Sequence, residues 1–354
     1  LSLGLSPIYT VLIETLVIVT YPDEHYHPAI ILHNSSARGG GLFFALVFIG
    51  LVVIFIPLSP EILGILIGSF AIALLGFLDD YQNTHSDSLL SFFLIFLDRL
   101  GFLFVVVSGL YFFNIRISFC TNPLDTMFYL NQFNFNLWGM TIQPLSWFFT
   151  TIWVVWIINL LSWSNGVDGQ YSGIVGIALI FVALLGLRHP EVTQLQFNYS
   201  RLAILAAGIS FGLIGVTWFP SRMMWGFGAM SAGVVLASLS ILIQAKVITS
   251  ILILFVPFLD AFVTIIRRFY QGKNPLRGDR GHLHHLLLDR GFSVPHVAIF
   301  YWVVTLLFGG LSLYSSEKPL IQIFLMILGV IFFVITLTNL RLSRKRKQQL
   351  EVEK

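Results

Sequence analysis

The chain has 354 residues, of which 56% are hydrophobic and only 10% are charged, and its formal net charge is +3. Soluble domains usually carry about 25% charged residues, so this composition excludes a water-exposed globular protein. The single cysteine excludes a disulfide framework and a cluster of thiolate metal ligands. We therefore expect one membrane-embedded unit.

Eleven apolar segments meet or approach the ~20 residues that a membrane-spanning helix needs. They lie near 3–20, 41–58, 62–79, 89–113, 146–162, 170–187, 201–219, 227–244, 247–266, 296–314 and 319–340. Because the eighth and ninth are nearly continuous, we predict an all-α polytopic membrane protein with 10–11 transmembrane helices. The first segment contains Glu14 and lacks a basic flank, so we expect no cleavable signal peptide.

Basic residues set the expected orientation. The segment 341–354 holds six of the 20 basic residues and is predicted to be a cytoplasmic tail behind a single transmembrane domain at 1–340. Eleven spans then put the N-terminus outside and 14 of the 20 basic residues on the cytoplasmic side. We predict a multi-pass protein of the plasma (inner) membrane. We expect no nucleic-acid partner, because juxtamembrane basic clusters usually serve topology or bind anionic lipid.

The first polar clusters flank the second and third spans. Arg38 precedes Gly39–Gly41, whose backbone N–H groups could hold a phosphate, although a flexible loop explains them equally well. Asp79 and Asp80 close the third span. Adjacent carboxylates at a membrane boundary favour a bound cation such as Mg²⁺, which proteins hold with one or two carboxylates and substrate phosphates. A solvated helix end is the alternative.

A polar turn separates the fifth and sixth spans. Asn159, Ser162 and Asn165 are three residues apart and can share one helical face. Gly166 and Gly169 flank Asp168 in this turn and allow close backbone approach to a ligand. Because the turn begins inside an apolar helix, we favour a binding site over an ordinary loop.

Asp260 lies within the ninth span, at a depth where an ionisable side chain is costly and indicates a functional site by default. Arg267 is two turns further along the same face. A hydrogen bond from Asp260 to Thr264 or to another helix is a nearly equal structural interpretation.

The densest polar cluster is Gly278–His285. If it is helical, Asp279, His282 and His285 share one face and His284 points elsewhere. This spacing suits zinc poorly. Arg280 and the histidines suit a diphosphate or a sugar phosphate, through charge-assisted hydrogen bonds. An exposed basic loop is the alternative. The four clusters all fall at predicted cytoplasmic span ends, which indicates a single site.

Together these motifs resemble the polyprenyl-phosphate N-acetylhexosamine-1-phosphate transferase family, also called glycosyltransferase family 4. The resemblance runs from about residue 37 to residue 291 and is specific in the runs Gly76–Asp80 and Asp279–His285. Pro257–Arg268 and Ala37–Gly41 are fair matches. The bacterial undecaprenyl-phosphate N-acetylglucosamine-1-phosphate transferases look like the closest branch.

The resemblance implies transfer of a sugar-1-phosphate from a UDP-amino sugar to undecaprenyl phosphate, with Mg²⁺ or Mn²⁺ as cofactor, and it leaves a homodimer open. It implies a catalytic set of Asp79, Asp80, Asp168, His282, His284 and His285, in which the three aspartates are the metal ligands. The predicted substrate-binding set is Arg38, Asn159, Asn165, Asp260, Arg267, Asp279 and Arg280.

The chain also departs from the family pattern. Ser162 stands where the family has a second Asn, and Asn165 stands where it has an Asp. In the family's Met-Gly-Asp-x-Gly stretch, Gly226 or Phe227 replaces the metal-binding Asp, and no acidic residue lies between Glu191 and Asp260. A basic residue expected shortly after the aspartate pair is missing.

Two other hypotheses therefore stand beside an active transferase. A catalytically weak or inactive paralogue would keep the fold and bind nucleotide-sugar or lipid. A transporter is a third hypothesis, since Glu14, Asp98, Arg99 and Asp260 lie at membrane depth. It ranks last, because the polar clusters gather on one face.

Overall fold

The computed structural model describes residues 1–16, 19–20, 36–84, 99–121, 127–137, 140–188, 192–244, 247–272, 280–315 and 318–352. Within these ranges the chain is mainly helical. The helices are α1 Ser2–Thr15, α2 Gly40–Phe55, α3 Pro60–Thr84, α4 Arg99–Phe112, α5 Pro144–Trp163, α6 Gln170–Leu187, α7 Gln194–Thr217, α8 Met230–Leu242, α9 Val247–Ile253, α10 Phe255–Tyr270, α11 Leu283–Asp289, α12 Val294–Ser315 and α13 Pro319–Val352. A 3₁₀ turn covers Phe227–Ala229.

The membrane-spanning character is confirmed by the helices themselves. Among the described residues, six stretches are long and apolar enough to cross a membrane: Pro60–Tyr81, Pro144–Trp163, Gln170–Leu187, Gln194–Thr217, Val294–Ser315 and Leu320–Thr338. Shorter apolar helices lie at Gly40–Phe55, Leu103–Phe112 and Phe227–Leu242. The chain is thus an all-α multi-pass membrane protein, with a helix in each of the eleven predicted segments.

The eighth and ninth segments are separate helices. A turn follows α8 at Ile243–Gln244, where Gln244 has a left-handed backbone with φ of 55°. The ninth segment is itself divided at Leu254 into α9 and α10. Asp260 lies in α10.

Helix α8 is the centre of the bundle. Every residue from Ser231 to Ser240 is buried, and the helix packs against α2, α3, α5, α6 and α7. A helix that is apolar on all sides belongs in a core. Two of its hydroxyls are hydrogen-bonded inside the bundle: Ser231 Oγ donates to the Gly228 carbonyl at 2.7 Å and Ser240 Oγ accepts from the Trp153 indole at 3.0 Å.

Short strands interrupt the helical pattern. β1 (Val19–Thr20) pairs antiparallel with β2 (Ser36–Arg38), and β2 pairs in parallel with β7 (Met223–Met224). Two hairpins, β3–β4 (Phe119–Thr121, Met127–Tyr129) and β5–β6 (Phe135–Leu137, Met140–Ile142), lie between α4 and α5. The β2–β7 register, with Arg38 opposite Met224, fixes Arg38 beside the segment 221–228.

Three glycines meet where α2 begins and α3 nears its end. A Cβ atom built on Gly41 or on Gly76 would overlap the backbone of Gly228, so the two helices contact the 3₁₀ turn at backbone distance. Only glycine permits this approach. The contact brings Asp79 and Asp80, at the end of α3, next to the segment 221–228.

Candidate active site

The first part of the site is built around Asp80 and is called here the Asp80 clamp, comprising Arg38, Asp80 and the Phe227 amide. Arg38 Nη1 lies 3.1 Å from Asp80 Oδ1, and the Phe227 backbone N–H donates to Oδ2 at 2.9 Å. Both side chains are buried, with 6% and 1% exposed. A buried carboxylate needs such partners, and here each of its two oxygens has one.

The local backbone explains how the segment that carries the Phe227 amide comes so close to Asp80. Gly226 has φ of 63°, and a Cβ atom built there would overlap the Asp80 carboxylate. Any other residue at 226 would therefore be strained and would collide with Asp80. The sequence left open whether residue 226 or 227 replaces the family's aspartate. Of the two, Phe227 is the position with room for a side chain.

Asp168 forms a second connection to the same segment. Ser221 donates its backbone N–H to Asp168 Oδ2 at 3.0 Å and its hydroxyl to Oδ1 at 2.8 Å. The Ser36 hydroxyl donates to the Ser221 carbonyl at 2.7 Å. Gly169, with φ of 77°, then opens α6. Asp168 thus joins the start of α6 to the strand that carries Arg38.

The second part of the site is built around Asp260 and is called the Asp260 clamp, comprising Asp260, His282 and the Leu283 amide. His282 Nδ1 lies 2.8 Å from Asp260 Oδ2, and the Leu283 N–H donates to Oδ1 at 2.8 Å. Arg268 Nη2 lies 3.4 Å from His282 Nε2. Asp260 is thus bonded to the start of another helix rather than to Thr264.

The three histidines lie together. The His282 and His284 rings are nearly parallel with centroids 5.6 Å apart, and the His284 and His285 centroids are 4.2 Å apart. The prediction that His284 points elsewhere is wrong, because α11 begins only at Leu283 and His282 has an extended backbone. Burial lowers the pKa of His284 well below its usual value, and the neighbouring His285 and His282 lower it further. His284 is therefore neutral near pH 7.

Gly166 connects the histidines to the polar turn. A Cβ atom built on Gly166 would overlap the His284 ring, so this ring packs directly on the backbone two residues before Asp168. Contacts therefore run without a gap from His284 through Gly166 and Asp168 to Ser221, and from Ser36 along β2 to Asp80.

The remaining predicted residues are less closely connected. The Asn159 amide donates to its own helix, at the Val155 carbonyl, over 2.8 Å, and Asn165 is half-buried in the turn. Arg267 packs its guanidinium against Gly281. Arg280 is 44% exposed and lies 4.0 Å from Asp289.

Asp79 is buried, with 7% exposed, and Asp279 lies outside the described residues. The roles assigned to all these side chains remain predictions.

Sequence reasoning missed Ser221 and Arg268 as site residues. A serine in a short polar stretch carries no signal of its own, and Arg268 follows Arg267 at the end of an apolar span, where basic residues commonly set topology. The Asp-free Met224–Gly228 stretch was recognised by its glycines, but its hydrogen bond to Asp80 had no sequence signal.

The carboxylates present do not fit a preassembled divalent-metal site. Both oxygens of Asp80 and both oxygens of Asp168 accept hydrogen bonds from protein groups. Within the described part of the chain, no three His, Cys, Asp or Glu side chains converge as metal ligands would. The assignment of Asp79, Asp80 and Asp168 as metal ligands stays a prediction.

Comparison with known proteins identifies the family of this chain. The family model described as "Glycosyl transferase family 4" matches residues 62–244. The chain is 28% identical over 309 residues to a probable undecaprenyl-phosphate N-acetylglucosaminyl 1-phosphate transferase of Bacillus subtilis, covering 84% of this chain and 78% of the relative.

Two further relatives are more distant. A phospho-N-acetylmuramoyl-pentapeptide-transferase of Petrotoga mobilis is 27% identical, with 82% and 86% covered, and a decaprenyl-phosphate N-acetylglucosaminephosphotransferase of Mycobacterium leprae is 26% identical, with 48% of each covered. With a family match over more than half of its length and helices that span a membrane, this chain belongs to glycosyl transferase family 4, the membrane phosphotransferases that act on polyprenyl phosphate.

Proposed function

We propose that this protein transfers an N-acetylhexosamine 1-phosphate from a UDP-sugar to undecaprenyl phosphate on the cytoplasmic side of the plasma membrane. N-acetylglucosamine is the first candidate for the sugar. The products are undecaprenyl diphospho-sugar and UMP, which would begin the synthesis of a cell-envelope glycan. The names of the similar proteins from Bacillus subtilis and Mycobacterium leprae support this choice of sugar.

One observation carries the proposal. The segment 221–228 bonds to Asp168 through Ser221, to β2 through Met224 and to Asp80 through the Phe227 amide. Motifs that are far apart in the sequence are thereby joined at one end of the bundle. Transfer of a phosphoryl-linked group depends mainly on positioning and on neutralising phosphate charge, and such a shared frame serves that purpose.

The reaction balances without a further reactant. An oxygen of the acceptor phosphate forms a bond to the sugar-bearing phosphorus of the donor. The bond from that phosphorus to the bridging oxygen breaks, and the oxygen leaves as part of UMP. A phosphate dianion needs no base to attack.

The chain's own basic and imidazole groups can bind the phosphates. Arg267 and Arg280 lie beside the histidine cluster and can bind phosphate oxygens through charge-assisted hydrogen bonds. His284 acts as a neutral hydrogen-bonding group. No step is assigned to Mg²⁺ or Mn²⁺, because the oxygens of Asp80 and Asp168, two of the three predicted ligands, already accept protein hydrogen bonds.

The test is UMP release by the purified full chain in nanodiscs, with undecaprenyl phosphate and a panel of UDP-amino sugars. We expect release that requires both substrates, and the preferred donor identifies the sugar. Asp80→Asn and Asp168→Asn should each abolish it. Asp168→Asn is informative because it keeps the size of the side chain that bonds to Ser221 and removes its negative charge.

Glu61→Gln is the matched control. Glu61 lies on the same helix as Asp80, but about 28 Å away along its axis, and it should leave UMP release unchanged. If folded wild-type protein releases no UMP with any donor, the transferase proposal fails and a binding paralogue remains. Phe227 in place of the family's carboxylate is the observation that favours this second candidate.

A further inference from the structure

The Asp80 clamp contains a cation that the protein itself supplies. Arg38 provides a guanidinium with five N–H donors and no acceptor. Its position is fixed by the pairing of β2 on both sides, with β1 and with β7. Its side chain is 6% exposed and lies 3.1 Å from Asp80, so the guanidinium charge directly offsets the carboxylate charge.

Each oxygen of the nearby Asp80 and Asp168 carboxylates already accepts a hydrogen bond from a protein group, so a divalent ion would have to compete with these donors. Asp80 accepts from Arg38 and Phe227, and Asp168 accepts twice from Ser221. Metal affinity depends on the number of anionic ligands. The segment 221–228, which contacts both carboxylates, contributes none.

An additional anionic metal ligand in the segment 221–228 would have to be at residue 227. At 226 a side chain would overlap the Asp80 carboxylate, whereas Phe227 holds a half-buried side chain at the start of the 3₁₀ turn while its amide binds Asp80. A carboxylate at 227 would belong to the residue whose amide binds Asp80 and would add one negative charge to the site.

We propose that the Arg38 guanidinium, rather than a divalent metal ion, is the cation of this site. Arg38 takes the place beside Asp80 that a divalent ion would occupy, and a uridine nucleotide then binds through the protein's own groups, independently of divalent metal. The choice of nucleotide rests on the proposed function. The claim about the metal rests only on the contacts of Arg38, Asp80, Asp168 and Phe227.

The first experiment titrates the full chain in nanodiscs with Mn²⁺ and follows binding by electron paramagnetic resonance. We expect wild-type protein to show no saturable site. Phe227→Asp should create one, because it adds an anionic ligand. Its affinity for Mn²⁺ should exceed any residual binding to the wild type by roughly tenfold or more. Phe227→Asn is the matched neutral control and should behave like the wild type. Saturable Mn²⁺ binding by the wild type as tight as in Phe227→Asp would overturn the proposal.

The second experiment measures UMP binding by calorimetry, in EDTA and in Mg²⁺. The dissociation constants of UMP in EDTA and in Mg²⁺ should agree within about twofold. A nucleotide site that binds no metal has the same affinity for UMP with and without it. Arg38→Gln should abolish binding, and Arg38→Lys, which keeps the charge and the pairing with Asp80, should retain part of it. A loss of UMP binding in EDTA overturns the proposal while leaving the transferase function intact.

The two failures are distinguishable. If UMP binds under neither condition, both the nucleotide role of Arg38 and the proposed function fail. The Mn²⁺ titration still decides the question of the metal by itself, because it contains no nucleotide.

Discussion

The Asp80 clamp and the Asp260 clamp have the same pattern of bonds. In each, one oxygen of a buried aspartate bonds to a basic side chain, and the other accepts a hydrogen bond from a backbone N–H. The four distances are 3.1 and 2.9 Å at Asp80 and 2.8 and 2.8 Å at Asp260. This arrangement satisfies both oxygens of a carboxylate that water cannot reach.

The partners differ in their origin and chemistry. Arg38 and Phe227 are 42 and 147 residues from Asp80, whereas His282 and Leu283 are 22 and 23 residues from Asp260. The Asp80 clamp therefore joins three distant parts of the chain with a permanent charge. The Asp260 clamp joins two neighbouring helices through an imidazole. Equal bonding patterns thus differ in how they respond to a lost partner.

The largest expected effect is at the Asp80 clamp. Asp80→Ala leaves a buried guanidinium without its carboxylate and should lower the free energy of unfolding by about 3–5 kcal/mol. Asp260→Ala should cost less, about 1–3 kcal/mol, because the partners left behind are an imidazole and a backbone N–H rather than a guanidinium. Denaturant unfolding in mixed detergent micelles measures both.

A double variant sharpens this difference. Arg38→Met combined with Asp80→Leu removes both charges and should recover most of the stability lost in Asp80→Ala, since no unpaired ion remains. Equal losses for the two single variants would contradict the distinction between the clamps.

An intermediate effect is expected from Gly226→Ala. The new Cβ overlaps the Asp80 carboxylate and the backbone has φ of 63°. Gly272 has nearly the same φ, 64°, but nothing lies within 4 Å of its position. Gly272→Ala therefore reports backbone strain alone. Gly226→Ala should lose about 1–3 kcal/mol more, the usual cost of overpacking. Similar melting temperatures for the two variants would show that Asp80 can move away from the new Cβ atom without loss of unfolding free energy.

The smallest effect concerns pH at the histidine cluster. Burial holds the pKa of His284 well below its usual value, so below about pH 6.5 the unfolded chain takes up a proton that the folded chain does not. The folded state is thus destabilised as the pH falls below this value. His284→Gln should show a smaller loss of thermal stability between pH 7.5 and 5.5, values chosen around that ordinary pKa of about 6.5.

His296→Gln is the control, because His296 is exposed and should leave the pH dependence of stability unchanged. An identical pH dependence in the wild type and in His284→Gln would contradict the assignment of this effect to His284.

Much of the fold follows from the sequence. The eleven apolar segments are long and continuous, and each contains a helix, because hydropathy alone decides such a case. The short strands at 36–38 and 223–224 were not predicted, since two or three residues carry no periodic pattern. The break at Leu254 was also missed, because the apolar run continues through it.

The sequence likewise reveals some residues of the site and not others. Arg38, Asp80, Asp168, Asp260 and the histidines stand out as polar groups in an apolar chain. Their partners do not stand out. The Phe227 and Leu283 amides are backbone groups that every residue has, and the Ser221 hydroxyl is common. Which amide reaches which carboxylate depends on packing between distant segments.

The contact of Gly41 and Gly76 with Gly228 has a consequence for the behaviour of this protein in different lipids. It fastens one end of α2 and of α3 to the same backbone atoms, while α2 ends at Phe55 in exposed apolar side chains. A helix held at one end changes its tilt by swinging about that end. Bilayers of different thickness, which tilt helices to match their apolar length, would therefore move the Phe55 end of α2, together with the Arg201 side chain that bonds to its carbonyl, more than the end near the carboxylates.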